Sequence, residues 1–437
     1  MINKFLFKHI DNSALIVFRI IFGFLCFSET VGAIFTGWIK RTLIDPDVTF
    51  SFIGFEWLQP LPGNGMYFYY TIMGLLGLCI MVGYKYRFSI ISFTILWAGC
   101  YFMQKASYNN HYYLLILLSG LMALQPANKY FSVDAKLHPE IKEISMPRWC
   151  SLVFILQMLI VYTYGAINKI YPDWLDTTVM SHLMRNKANY FLVGEFLQHK
   201  PVHYFLTYGG ILFDGLIIPL FLYKPTRKFA FFASVFFHLF NSFIFQVGIF
   251  PYLSLAFALF FFDTEIIHKL FFKNKKTYYN SGEVIIPKYR NLALGVMSAY
   301  FVVQLILPIR HHFIKDDVLW TEEGHRLSWR MMLRSKGGHA TYTIKNHTQN
   351  TTEKVDLKDY LSPKQIRLAQ SKPDIMWQFS QRLKSVYAEK GDSISVYVKA
   401  RISVNGKPSK QYINTEVDLA NVEWSAWKHS DWILPSK

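Results

Sequence analysis

The stretch WCSLVFILQMLIVYTYGAINKIYPDWL, residues 149–175, decides the fold class. Its apolar part, residues 149–170, is long enough for a helix that crosses the roughly 30 Å hydrocarbon core of a bilayer, which takes about 20 residues. The run closes with Asn168 and Lys169, polar residues that are costly in lipid and need a partner or a function. The stretch therefore predicts a membrane-spanning helix whose far end carries polar groups.

Similar apolar runs recur before about residue 310 and stop there. The 437-residue chain is 52% hydrophobic and only 17% charged, whereas soluble domains average about 25% charged residues. The candidate spans are residues 14–36, 65–83, 88–106, 109–126, 149–170, 202–222, 229–249, 251–267 and 291–310. Either half of the pair around Phe250-Pro251 could instead form a re-entrant hairpin. We predict a polytopic α-helical membrane protein with about eight to nine transmembrane helices in residues 1–310, followed by a soluble domain in residues 311–437.

The lysines and arginines are distributed along the chain as in a polytopic membrane protein. The formal net charge is +17, but the lysines and arginines cluster in short loops between the spans. Loops on the side of the N-terminus hold seventeen of them and the opposite loops hold six. Because cytoplasmic loops are enriched in lysine and arginine, we expect a cytoplasmic N-terminus. An odd number of spans then places residues 311–437 outside, and the expected contacts are membrane lipids rather than nucleic acid.

The region after the ninth span has a pattern of its own. Residues 338–346 and 393–404 alternate and are rich in β-branched side chains, which predicts strands, and Val404-Asn405-Gly406-Lys407 is typical of a hairpin turn. Segments 363–371 and 373–390 have helical periodicity and a proline near the start. These features predict a C-terminal α+β soluble domain. All four cysteines precede this region, and neither a disulfide framework nor a cysteine metal site is expected.

Several polar residues lie within or at the ends of the predicted spans. Asn110 and His111 begin the fourth span, Lys169 closes the fifth, and His238 and Asn241 have i, i+3 spacing in the seventh. The predicted orientation puts His111 and Lys169 at the outer ends of their helices, on the side of the soluble domain. A site between the helix ends and that domain would bring them together.

Each of these residues also has an ordinary explanation. A lysine near a helix end can extend to the interface, a histidine can begin a span as an interfacial residue, and a His/Asn pair can hydrogen-bond neighbouring helices. Arg19 and Glu29 in the first span could form a structural ion pair. The functional alternative is that a desolvated lysine amine acts as a base, with histidine and asparagine donating hydrogen bonds to an oxyanion.

Six short strings, in order along the chain, point to one known family. They are SYNNHYYL (107–114), NKYFSVD (128–134), GAINKIYPDW (165–174), FHLFNS (237–242), QLILP (304–308) and SWRMM (328–332). Together they resemble vitamin K-dependent γ-glutamyl carboxylase. The broader relatives share its carboxylase-like transmembrane domain, called HTTM, and many have no known activity.

The resemblance implies an integral-membrane enzyme that oxidises reduced vitamin K (phylloquinol or menaquinol) to its epoxide and carboxylates peptide glutamate. The family's lysine, matched by Lys169, deprotonates the quinol, and oxygen then generates a strongly basic alkoxide. That base removes a γ-proton from glutamate, and the carbanion takes up carbon dioxide. His111, preceded by Asn110, matches the family's important histidine. The family requires no metal.

The chain also departs from the family pattern. After the two methionines the family has His-Ser-Arg, and this chain has Arg-Ser-Lys at residues 334–336. We expect Trp329, Arg334 and Lys336 to help bind the anionic glutamate, unless the two cations merely face solvent. His238 and Asn241 complete the expected substrate-binding residues.

Two further functions remain open at this point. The changed string at 334–336 allows a quinol epoxidase without protein carboxylation, and a non-catalytic quinone-binding membrane scaffold would retain the fold alone. The scaffold would have no need for both His111 and Lys169. The composition, rich in Lys, Asn, Ile and Phe, suggests a bacterial member in the inner membrane with a periplasmic C-terminal domain. The expected partner is a glutamate-containing peptide or protein.

Overall fold

The computed structural model describes residues 2–278 and 284–436, in which a bundle of helices precedes an α+β domain. The bundle region contains α1 (Ile2–Leu6), α2 (Ser13–Phe35), α3 (Gly65–Val82), α4 (Tyr86–Met103), α5 (Asn110–Ala123), α6 (Val133–Leu137), α7 (Trp149–Ile167), α8 (Pro172–Leu175), α9 (Thr178–Arg185), α10 (Lys200–Leu222), α11 (Arg227–Phe245), α12 (Phe250–Ala256), α13 (Thr264–Phe271) and α14 (Arg290–Ile309). A short antiparallel pair, β1 (His9–Asp11) and β2 (Ser145–Pro147), lies at the end of the bundle where α2 begins.

Within the described residues, six helical stretches are long and apolar enough to cross a membrane. They are α2, α3, α7, α10, the stretch Lys224–Phe245 around α11, and the stretch Arg290–Phe313 around α14. This number is below the eight to nine transmembrane helices that the sequence predicts. The predicted spans 88–106 and 109–126 coincide with α4 and α5. At 1.5 Å per residue, the 14 residues of α5 rise only about 21 Å, less than the thickness of the hydrocarbon core.

The prediction of one continuous span over residues 251–267 is wrong. Here α12 continues as the 3₁₀-helix Phe257–Phe260, the chain then breaks, and α13 begins after Asp263. Asp263 forms an ion pair of 3.3 Å with Arg227 at the start of α11, so the short segment returns to the end of the bundle from which α11 departs. Non-helical backbone at membrane depth is tolerated where it is buried in protein or lines a cavity. Phe250, at the start of α12, lines a cavity at the other end of the bundle.

Close helix packing explains why α2 and α3 lie against each other. A Cβ atom added at Gly23 would be 2.3 Å from the backbone nitrogen of Met81, and one added at Gly77 would be 2.7 Å from the backbone nitrogen of Phe27. Small residues let two membrane helices approach to backbone contact. The loop of residues 36–64, which joins these two helices, contacts the α+β domain, where Ser51 O accepts a 3.0 Å hydrogen bond from Gln378.

The α+β domain is built on a four-stranded antiparallel sheet in the order β4-β3-β5-β6. Its elements are α15 (Val318–Thr321), β3 (Lys336–Asn346), β4 (Thr351–Lys354), α16 (Pro363–Ala369), α17 (Pro373–Ala388), β5 (Ile394–Val404) and β6 (Lys410–Gln411). The side chains of Tyr342, Val396 and Val398 lie on the same face of the sheet. They form a core with Phe379 of α17. The strands, helices and hairpin turn agree with the sequence predictions, and both central turn residues, Asn405 and Gly406, have positive φ.

Candidate functional site

A cavity of about 550 Å³ lies between the ends of the bundle helices and the α+β domain. Its wall on the bundle side is apolar and includes Phe205, Phe213, Phe236, Phe237, Phe240 and Phe250. Its wall on the domain side is polar and includes Glu322, His325, Arg326, Arg330, Arg334 and Lys372. Phe205 and Phe236 are both 63% exposed, so this apolar wall continues onto the outer surface of α10 and α11. The volume lies within the range of pockets that bind small molecules.

Five of the predicted site residues line this cavity, and their roles stay predictions. They are Asn110, His111, Lys169, Asn241 and Arg334. Asn110 and His111 occupy the first turn of α5, while Lys169 lies two residues after the end of α7 at Ile167. Because both helices end at the cavity, side chains that are 58 positions apart in the sequence share one space.

Lys169 is held by a carboxylate that the sequence reasoning missed. Its Nζ donates a hydrogen bond to Asp214 of α10, and the two side chains are only 11% and 5% exposed. The Trp174 ring centroid lies 5.8 Å from the same nitrogen. A Cβ atom at Gly165 would be 2.9 Å from Asp214 Oδ2, so glycine makes room for the pair. An acidic residue inside the predicted span 202–222 was the signal that could have identified Asp214.

His111 faces the cavity with its ring nitrogens free. Among the described residues its imidazole has no hydrogen-bond partner, although it makes an edge contact with the Tyr112 ring at 5.0 Å. Gly248 has a φ of +61°, and a Cβ atom there would be 3.4 Å from His111 Nε2. The absence of a side chain at Gly248 leaves this side of Nε2 uncovered.

Asn110 is fixed between the bundle and the α+β domain. The Tyr108 hydroxyl donates to its Oδ1 at 2.8 Å, and its Nδ2 donates to the backbone oxygen of Arg330 at 3.2 Å. The preceding Asn109 caps α5 by accepting a 2.7 Å hydrogen bond from the Tyr112 backbone nitrogen. These contacts set the position at which α5 begins and therefore the position of His111.

Arg19 and Glu29 do not form the structural ion pair that the sequence allows. Arg19 donates to the backbone oxygens of Ala127 and Phe131 at 3.1 and 2.7 Å, while Glu29 accepts a 2.5 Å hydrogen bond from the Tyr112 hydroxyl. Ten residues along one helix separate the two groups by about 15 Å, which is too far for contact.

The three other predicted residues lie behind the cavity wall. The ring of His238 is buried and is hydrogen-bonded to the Tyr162 hydroxyl at 2.8 Å. Trp329 is buried and stacks on Tyr113 with ring centroids 5.0 Å apart. Lys336 donates to the Tyr412 hydroxyl at 3.1 Å, next to the chain around Glu322. None of the three is a lining residue of the described cavity.

A buried carboxylate organises the cations of the domain wall. Glu322 pairs with Arg334, with Lys372 at 2.9 Å and with Lys336 at 3.5 Å. Burial alone would raise the pKa of Glu322, but Arg334, Lys372 and Lys336 hold it well below its usual range. Burial lowers the pKa of Lys336 to about 7 and that of Lys372 to about 8. The alternative in which Arg334 and Lys336 face solvent is wrong, since their side chains are 12% and 1% exposed.

A second buried carboxylate joins the domain to the bundle. Asp374, at the start of α17, pairs with Lys105 at 2.7 Å and with Arg326 at 2.5 Å. Burial would raise the pKa of Asp374, and the two cations outweigh it and lower that pKa. Because Lys105 belongs to the loop before α5, the ion pairs fix the polar wall of the cavity above the helix ends.

The fold and the cavity define an integral-membrane protein of the HTTM class. Residues 7–265, more than half of the chain, match the family model of the HTTM domain. Residues 289–437 match a second family model, the lumenal domain of vitamin K-dependent gamma-carboxylase. The chain therefore belongs to the vitamin K-dependent gamma-carboxylase family. No solved structure matches it.

Proposed function

We propose that this protein is an integral-membrane vitamin K-dependent γ-glutamyl carboxylase. It couples oxidation of reduced vitamin K, or of menaquinol, to carboxylation of peptide glutamate. The observation that carries the proposal is the shared cavity: Lys169 and His111 lie between an apolar wall of phenylalanines and a polar wall of cations. The match to the carboxylase lumenal domain supports the same reaction class.

The residues of the cavity fit a quinol. Phenylalanines of α10 and α11 offer an apolar surface for a fused aromatic ring and its tail, and their exposed members open that surface toward lipid. When bound and oxidised by oxygen, reduced vitamin K supplies the strong base that takes a γ-proton from glutamate. The polar wall on the domain side is where an anionic peptide side chain would enter.

Lys169 has the position of a base that acts on a quinol hydroxyl. In its neutral form the amine accepts a proton at Nζ, and Asp214, hydrogen-bonded to that nitrogen, stabilises the ammonium that results. The burial of both side chains keeps water from competing for this proton. His111, with a free ring nitrogen beside Gly248, is available to hydrogen-bond a reacting oxygen.

The test uses purified protein with reduced vitamin K, oxygen, labelled bicarbonate and a glutamate peptide, with epoxide and carboxylated peptide measured by mass spectrometry. Lys169→Ala should abolish both products, and an added small amine should restore part of the epoxide. His111→Ala should lower both products by about 10²- to 10³-fold, the usual cost of losing one oxyanion donor. Lys200→Ala, at an exposed lysine at the start of α10, is the matched control. Normal epoxide formation by Lys169→Ala would overturn the assignment of the base.

One observation favours a quinol epoxidase as the second candidate. Arg334 and Lys336, the cations expected to meet the glutamate, already pair with Glu322. If the wild-type protein makes epoxide at the same rate with and without the glutamate peptide and never carboxylates it, the epoxidase replaces the carboxylase. Formation of neither product would contradict both enzymatic candidates and leave the non-catalytic quinone-binding scaffold.

A further inference from the structure

Arg330 differs from the other cations of the cavity in its partners. The lysines and arginines at positions 105, 169, 326, 334 and 372 line the cavity, and each has a carboxylate within ion-pair distance. Among the described residues, no carboxylate lies within that distance of Arg330. Arg330 is only 7% exposed. A buried cation without a counter-charge is costly.

The hydrogen bonds of Arg330 fix one edge of its guanidinium and leave another edge free. Nη1 donates to Asn168 Oδ1 at 2.9 Å and lies 3.2 Å from His311 Nε2. Nε is buried without a partner, and within the described chain Nη2 has no hydrogen bond either. Nε and Nη2 point to the same side of the planar group, which is an edge that binds a carboxylate through two parallel hydrogen bonds.

Arg330 lines the same cavity as Lys169 and His111. Asn168, which anchors Nη1, directly precedes Lys169, and the backbone oxygen of Arg330 accepts the hydrogen bond from Asn110. Burial, with Arg334 nearby, lowers the pKa of Arg330 to about 10, as expected for a cation that lacks a counter-charge. An incoming anion would relieve this unfavourable burial.

We propose that the Nε–Nη2 edge of Arg330 binds the side-chain carboxylate of the glutamate in the peptide substrate. The inference rests on the proposed function and assigns the glutamate contact to Arg330 instead of Arg334 and Lys336, which already pair with Glu322. A carboxylate held there lies on the domain side of the cavity, beside the chain that carries Lys169.

Direct binding tests the proposal without requiring turnover. The full-length protein in lipid nanodiscs is titrated with a fluorescent peptide that contains one glutamate, and with the same peptide carrying glutamine. Wild type should bind the glutamate peptide more tightly than the glutamine peptide. Arg330→Gln should reduce that preference by about ten- to hundredfold, the range for a charge-assisted hydrogen bond. Arg330→Lys keeps the charge but loses the second hydrogen bond, so it should retain a partial preference.

The control variant is Lys407→Gln, which breaks an exposed ion pair with Asp173 and should keep the full preference. Melting temperature is measured for each variant, and Arg330→Lys decides the result if Arg330→Gln does not fold. Equal preference in wild type and the Arg330 variants overturns the proposal, and so does a wild type that does not distinguish the peptides. A wild type that prefers glutamate through Arg330 but forms no carboxylated product supports this site while refuting the carboxylase function.

Discussion

Replacing Glu322 by glutamine removes the one negative charge that Arg334, Lys336 and Lys372 share. At an effective dielectric constant of about 20, two charges 4 Å apart attract by about 4 kcal/mol, and desolvation offsets much of that attraction. Removing one member of a buried ion pair typically costs about 3–5 kcal/mol, because the remaining charges stay buried without a partner. Three cations lose their partner when the Glu322 charge is removed, but Lys336 and Lys372 can become neutral by losing a proton. The cost in free energy of unfolding therefore stays in this range. We therefore expect Glu322→Gln to lower the free energy of unfolding of the α+β domain by about 3–5 kcal/mol.

Thermal unfolding of the detergent-solubilised protein, followed by tryptophan fluorescence, measures this loss. At about 2–4 °C per kcal/mol, the melting temperature should fall by at least roughly 6 °C. Glu416→Gln, at an exposed carboxylate, is the matched control and should change the melting temperature by less than about 2 °C. A melting temperature for Glu322→Gln equal to that of the control would refute the view that Glu322 holds the cations together.

The same variant should change how stability depends on pH. Burial lowers the pKa of Lys336 to about 7 and that of Lys372 to about 8, against an ordinary value of 10.5. Between these values the unfolded chain holds protons that the folded chain has lost, so wild-type stability should rise from about pH 7 to about pH 9. Without Glu322 both pKa values fall further, and the rise should begin at lower pH. A wild-type free energy of unfolding that stays constant or falls from about pH 7 to about pH 9 would contradict the expected direction.

Two other outcomes follow from the bundle. A periplasmic reporter fused after Lys437 should be active while the same reporter at the N-terminus is inactive, because the loops on the N-terminal side carry most of the positive charge; the reverse pattern would overturn the proposed orientation. Gly165→Ala should reduce epoxide formation at least about tenfold, because its Cβ would lie 2.9 Å from Asp214 Oδ2 and displace the partner of Lys169. Gly295→Ala, with open space at its Cβ, serves as the control, and equal activity of the two variants would remove Asp214 from the site.

Apolar runs and β-branched alternation were sufficient to predict the helical bundle and the α+β domain. They failed over residues 251–267, where the helix changes from α to 3₁₀ within the apolar run and the chain breaks at Asp263. Hydropathy measures the transfer of side chains into lipid, and it carries no information on whether the backbone stays helical. The ion pair of Asp263 with Arg227, which fixes the break, joins residues from different helices.

The candidate site was predictable where its residues lie at helix ends and match family strings, as for His111 and Lys169. Asp214 gave a usable signal, an acid inside a span, but its partner depends on how α7 and α10 pack. Glu322 and Arg330 gave no such signal, because a charged residue in a soluble region is ordinary until the fold shows its burial. Their roles come from contacts between distant segments, which no local pattern records.

The two walls of the cavity have a consequence for kinetics. The apolar wall continues onto lipid-facing surfaces of α10 and α11, whereas the polar wall belongs to the domain outside the bundle. A ligand that partitions into the bilayer is present at a mole fraction of the lipid, while a peptide is present at a molar concentration in water. Adding inert lipid at constant volume dilutes the lipid-soluble ligand within the bilayer, so the reaction should slow when that ligand is limiting. The peptide concentration that gives saturation should not change. KM for a lipid-soluble ligand is then a property of the membrane composition as well as of the protein.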